Sequence, residues 1–309
     1  MFMRKFIEFI FFGNFFYGLC VIAMSLDASL FQGFTIPYSY YLFIACFTVI
    51  YYTQSYERIF KFPKRISTVA LTRNKRFQWL QRNNIAIFYI QIFLFVIGCV
   101  SLFRLIFFDI HNVFNHVRIA HMVIVLLLCL LAFFYYGTVF LPGLKFSLRI
   151  GLIKPFIIGL IWAGVVAVLP AVTEEIITDS AIFSNKTLYV FLDYFLLISI
   201  LAIIFDIKDY EADNNVELKT FVVKMGKIRT INYIITPLCI VYILFCVYMF
   251  VLKFETEYII YFLLPAIALL IISRKMFAEK NILFYLAAID GLMLLKALTG
   301  IIIQIFLIR

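Results

Sequence analysis

Three aspartates, Asp206, Asp209 and Asp213, stand at spacings of three and four in the segment Phe205-Asp206-Ile207-Lys208-Asp209-Tyr210-Glu211-Ala212-Asp213. In a helix these spacings stack the carboxylates on one stripe over two turns. Like charges so placed repel, and without a counterion the arrangement costs free energy. The pattern suits a hard divalent cation: Mg²⁺ keeps several of its waters, takes one or two carboxylates and bridges to phosphate oxygens. The competing reading is a solvated acidic helix end, neutralised by Lys208 and Lys219.

The elements that must carry these residues are membrane helices. Hydrophobic residues make up 65% of the 309 positions and charged residues 14%, too apolar a chain for a water-soluble domain. Solid apolar runs such as Met122 to Phe134 exclude the alternation of a β-barrel, and helices alone then satisfy the backbone in lipid. Runs near 9–28, 38–56, 85–107, 119–140, 152–172, 188–205, 231–252, 258–273 and 282–307 predict an all-α polytopic transmembrane bundle of about nine helices, a single domain over 1–309. The first run, extending to about Met24 past Asn14, is expected to be an uncleaved span rather than a signal peptide.

Charge agrees with this count. With the N-terminus on the cytoplasmic side, the inside segments hold every Lys and Arg except Arg104, Arg118, Lys186, Lys253, Lys296 and Arg309, the asymmetry that orients membrane proteins. The formal charge of +10 is therefore a matter of topology and anionic lipid, with no nucleic-acid partner implied. The six cysteines all fall within apolar runs without a CxxC pair and are read as small packing residues. Two inside loops are long, one near 57–84 and strongly basic, the other near 206–230 and carrying the acids, and connections of such length usually serve a function.

The stretch from Asp206 to Asp213, followed by Lys219-Thr220-Phe221-Val222-Val223-Lys224-Met225-Gly226-Lys227, resembles the second aspartate-rich motif of the UbiA superfamily of membrane prenyltransferases. The match spans about 22 residues and includes the acids, the Lys-Thr pair and the later glycine. The family's nine helices, with aspartate motifs after the second and sixth, coincide with the positions of the two long loops. The resemblance implies that the two loops cap a central cavity and that an isoprenyl group passes from a prenyl diphosphate to a lipophilic, often aromatic, acceptor. It also implies Mg²⁺ as cofactor, with Asp206, Asp209 and Asp213 as metal-side catalytic ligands and Lys219 as a contact to the diphosphate. The expected location is a bacterial inner membrane, with membrane lipid around the bundle.

The first motif of that family departs from the pattern. At the end of the second span this chain reads Tyr52-Thr53-Gln54-Ser55-Tyr56-Glu57-Arg58-Ile59-Phe60-Lys61, without an aspartate. Gln54 stands roughly where the family has asparagine, and Glu57 is one carboxylate within reach. Arg58, Lys61 and Arg65 are read as cations that neutralise a diphosphate in place of one metal. The rival to this reading is a UbiA-like isoprenoid-binding protein whose chemistry has diverged or been lost. A lipid transporter ranks third, because sequence places only Asp290 and Lys296 deep in a span. Asp290 and Asn14 are further candidates for lining a cavity; a buried structural pair with another helix is the equal alternative for Asp290, and packing or interface roles are the favoured reading for Asn14, Tyr17 and Asp27. Metal binding by His111, His116 and His121 is not expected, since their spacings of five share no helical face.

Overall fold

The first apolar run is broken in two by Gly13 and Asn14. In the computed structural model, which describes residues 2–61, 75–110, 113–135, 151–179, 184–208, 210, 219–253, 258–277 and 284–306, helix α1 (Phe2–Phe12) ends there and α2 (Phe15–Gln32) begins. Asn14 adopts left-handed backbone, φ 65°, which asparagine tolerates better than most residues because its short amide bonds locally. The spanning part of this run therefore lies over 15–32, displaced from the expected 9–28.

The following elements are α3 (Tyr38–Lys61), α4 (Lys75–Arg82), α5 (Asn84–Asp109), α6 (Ile119–Tyr135), α7 (Lys154–Thr178), α8 (Asn185–Lys208), α9 (Phe221–Met225), α10 (227–253), α11 (Tyr258–Lys275) and α12 (Tyr285–Phe306). Among the described residues there is no strand. Helices stand in each of the nine places that the apolar runs marked, and α2, α5, α7, α8, α10 and α12 are long and apolar enough to cross a bilayer. The chain is an all-α polytopic membrane bundle.

The faces of α5 show what sorts this sequence in lipid. Ile87, Gln91, Gly98 and Ser101 are buried, while Ile85, Phe88, Tyr89, Phe93 and Phe95 point outward. Small and polar groups face protein because lipid already satisfies the large apolar ones. Helices α2 and α8 form the centre. Helix α2 packs against α3, α7, α8 and α12, α8 packs along α7 and touches α10, and α10, α11 and α12 follow one another around the bundle. The approach of α7 to α8 depends on Gly159, where an added Cβ would stand 2.2 Å from Ser199 Oγ and 2.8 Å from the Phe195 carbonyl oxygen.

In the half of the bundle away from Asp206, buried charge joins these helices. Asp193 lies 13 residues before Asp206 on α8, about 20 Å along the helix at 1.5 Å per residue. Its carboxylate accepts from the Tyr242 hydroxyl at 2.8 Å and pairs with Lys296 at 2.9 Å. Asp27 of α2 accepts from the hydroxyls of Tyr194 and Tyr261 and from Gln304 Nε2. The deep charges are thus Asp27, Asp193, Lys296 and Asp290, which corrects the sequence reading that only Asp290 and Lys296 lie deep. Asp193 was visible as a lone acid within an apolar run, the signal by which intramembrane charge is recognised.

Candidate functional site

Asp206 occupies the last turn of α8 and is fully buried. Its neighbour is Lys154, the first residue of α7, whose Nζ lies 2.5 Å from Asp206 Oδ1. Pro155, with its fixed φ and no N–H to satisfy, starts α7 at that point and sets where Lys154 leaves the helix. Lys154 is thus a counter-charge of Asp206 that the reading with Lys208 and Lys219 as the neutralising bases did not name. Lys208 extends over the Phe205 ring, 5.2 Å from its centre. Asp209 and Asp213 lie outside the described residues.

The segment that follows is folded by its own polar residues. Thr220 caps α9, its Oγ1 accepting from the Val223 amide at 3.3 Å, and Gly226 ends that turn at φ 79°, a conformation glycine adopts without a Cβ penalty. Lys219 is exposed, and its backbone lies directly on Gly151, where a Cβ would come within 2.1 Å of the Lys219 carbonyl oxygen. Gly151 thus brings Lys219 to the start of α7, close in sequence to Lys154.

Across the bundle, Asn14 is a hub. Its Nδ2 donates to Thr53 Oγ1 on α3 at 3.0 Å, and its Oδ1 accepts from Arg76 Nη2 on α4. Arg76 also donates from Nε to the Phe12 carbonyl at 3.4 Å and is only 2% exposed. The helix break at Gly13–Asn14 is what frees the Phe12 carbonyl for this guanidinium. Gln54, next to Thr53, is half-buried; the side chains of Glu57, Arg58 and Lys61, and all of Arg65, lie outside the described set.

Asp290 begins the regular part of α12 after a π-helical turn, Tyr285–Ile289, a local widening often found at functional sites. Its carboxylate accepts from the Tyr17 hydroxyl, and Lys208 and Arg76 are the cations whose fields reach it. Tyr17 stacks on Tyr52, ring centres 4.6 Å apart, and the Tyr52 hydroxyl accepts from Trp162 Nε1 at 2.7 Å. Three aromatic rings from α2, α3 and α7 therefore sit beside the polar groups at one end of the bundle.

The structure places Asn14, Asp206, Asp290 and the backbone of Lys219 at this end, and adds Lys154, Arg76, Tyr52 and Trp162, which sequence reasoning did not single out. Lys154 and Arg76 were hidden among the topology-setting bases, because a basic residue between spans carries no mark of being buried. Among the described residues no three of His, Cys, Asp or Glu stand together. The donor chemistry nevertheless fits a hard cation: Asp206 offers carboxylate oxygen, and the ammonium already on it shows that the position attracts positive charge.

The chain matches no protein-family model and no curated protein. Among solved structures it is similar to "a UbiA homolog from Archaeoglobus fulgidus bound to DMAPP and Mg2+", with 15% sequence identity and a TM-score of 0.56, over 97% of this chain and 100% of that one. At this identity the likeness concerns the backbone arrangement. This chain is a membrane protein of the UbiA fold.

Proposed function

We propose that this protein transfers an isoprenyl group from a prenyl diphosphate to a lipophilic acceptor within the membrane, with Mg²⁺ assisting and an aromatic ring as the acceptor class to test first. The observation that carries the reading is the burial of Asp206, Lys154 and Arg76 at one mouth of a UbiA-like bundle. Buried charges are expensive in such a setting and persist where a charged ligand uses them. The solved neighbour, bound to DMAPP and Mg2+, supports the same substrate class.

Asp206, Asp209 and Asp213 would hold the metal, which when bound supplies charge neutralisation to the departing diphosphate. Arg76, fixed by Asn14 and Phe12, presents a guanidinium to phosphate oxygens without first having to be ordered. Arg58 and Lys61 at the end of α3, with Lys219 and Arg65, add positive charge, and the two long loops would cap the diphosphate. Glu57 and Gln54 remain as what is left of a first acidic motif. Tyr17, Tyr52 and Trp162 offer ring faces to positive charge developing on the allylic carbon, and the apolar interior excludes the water that would quench it. The diphosphate end faces the cytoplasm in this reading, as does the N-terminus.

The test is incubation of the purified protein in lipid nanodiscs with Mg²⁺, a radiolabelled prenyl diphosphate of each chain length and an extract of membrane quinone and phenol precursors. Labelled lipid product that disappears in Asp206→Asn and Asp209→Asn is the expected result. Tight binding of the diphosphate without product under all acceptors would instead favour the isoprenoid-binding reading, and flux of the unchanged diphosphate across the bilayer would favour a transporter.

A further inference from the structure

Lys154 and Asp206 make contact across two closely packed helices, α7 and α8, Nζ to Oδ1 at 2.5 Å, with side-chain exposures of 7% and 1%. Resting on the reading of this mouth as a diphosphate site, we infer that Lys154 is the resident counter-cation of Asp206, and that divalent metal gains this carboxylate only together with a diphosphate, onto which Lys154 transfers.

Geometry and charge lead to this order of events. A Mg²⁺ ion binds carboxylate oxygen at about 2.1 Å. With the ammonium on the same oxygen, the two cations would be no more than about 4.6 Å apart, in an interior that screens poorly. Metal and ammonium therefore exclude each other on Oδ1. Metal arriving alone must either strand a buried ammonium or bind the second oxygen, Oδ2, against the field of the ammonium on Oδ1, and both are unfavourable. The backbone has little room to relieve the conflict, because Gly159 presses α7 onto Ser199 of α8 and Gly151 presses the start of α7 onto Lys219. The side chain has to move instead. A diphosphate resolves the conflict by giving the displaced ammonium new oxygen acceptors and the metal further ligands. Lys154 thereby acts as a positioning residue that makes metal and substrate binding cooperative.

The experiment uses full-length protein in nanodiscs and Mn²⁺ as the probe, with free Mn²⁺ read by electron paramagnetic resonance, in the presence and absence of geranyl thiodiphosphate, which resists cleavage. For the wild type, the analogue should tighten Mn²⁺ binding by about tenfold or more, the equivalent of one 1.4 kcal/mol step. Lys154→Met should bind Mn²⁺ about tenfold more tightly than wild type without the analogue and lose most of the enhancement, whereas Lys154→Arg should keep it. An Mn²⁺ affinity in wild type that is the same with and without bound analogue overturns the inference while leaving the diphosphate site standing. This arm needs no variant, so a poorly folded Lys154→Met does not blunt it. If the analogue itself fails to bind wild type at any Mn²⁺ concentration, both the inference and the underlying reading fall.

Discussion

Lys296 of α12 sets its ammonium 2.9 Å from Asp193 Oδ2 of α8 and 3.0 Å from the centre of the Tyr261 ring of α11, so a single side chain fastens three helices. The same Tyr261 donates from its hydroxyl to Asp27 of α2 at 3.1 Å, which extends the link to a fourth. Both members of the ion pair are buried, and removing one leaves the other uncompensated. Lys296→Met should therefore destabilise the bundle by about 3–5 kcal/mol, and the double variant Lys296→Met/Asp193→Leu should recover much of the loss. Reversible denaturation in detergent, followed by circular dichroism, provides the comparison; equal stability of Lys296→Met and wild type would show that the pair contributes little.

Gly300 is the close-approach point for the other carboxylate. A Cβ there would lie 1.7 Å from Asp27 Oδ1 and 2.5 Å from Tyr261 Cε2, so Gly300→Ala forces α2 and α12 apart. A loss of about 1–3 kcal/mol is expected, the usual consequence of overpacking. Gly291, which has open space around its Cβ position, serves as the control on the same helix, and Gly291→Ala should leave thermal stability almost unchanged.

Arg76 should matter for the diphosphate and not for the hydrocarbon. Truncation of a buried, hydrogen-bonded charge at a binding site costs about 2 kcal/mol or more, so Arg76→Met is expected to weaken geranyl thiodiphosphate binding about thirtyfold. Binding of the corresponding prenyl alcohol should change little. Lysine cannot reproduce the two-sided contact to Asn14 and Phe12, and Arg76→Lys should restore only part of the affinity. Equal losses for alcohol and diphosphate would mean that Arg76 supports the helix break at Asn14 instead.

Trp162 holds Tyr52 in place by its indole N–H. Trp162→Phe keeps the ring and removes the hydrogen bond, which should reduce transfer about fivefold, in line with one neutral hydrogen bond of about 1 kcal/mol. Titration of the non-cleavable analogue should be unaffected, because the ring cluster is assigned to the reacting carbon and not to the phosphates.

Chelation gives a direct check on the metal. EDTA should abolish prenyl transfer by the purified protein, and added Mg²⁺ should restore it, with product formation followed by radiolabel. Transfer that persists in EDTA would mean that Arg76, Lys154 and the loop bases suffice to stabilise the leaving group.

The sequence by itself determined that this is a helical membrane bundle, because span length, backbone satisfaction and the one-sided placement of Lys and Arg are properties of consecutive residues. It also made Asp206 legible, since an acid stripe at a span end is a local pattern. Only the tertiary structure decided which charges meet. Lys154 reaches Asp206 across 52 positions and Arg76 reaches Asn14 across 62. Such contacts depend on which helix faces dock, and small residues such as Gly159 and Gly300 set that docking through side chains they lack. The helix break at Gly13–Asn14 was beyond sequence reading for a related reason: an asparagine within an apolar run continues a helix unless a neighbour such as Arg76 uses the backbone group that the break exposes.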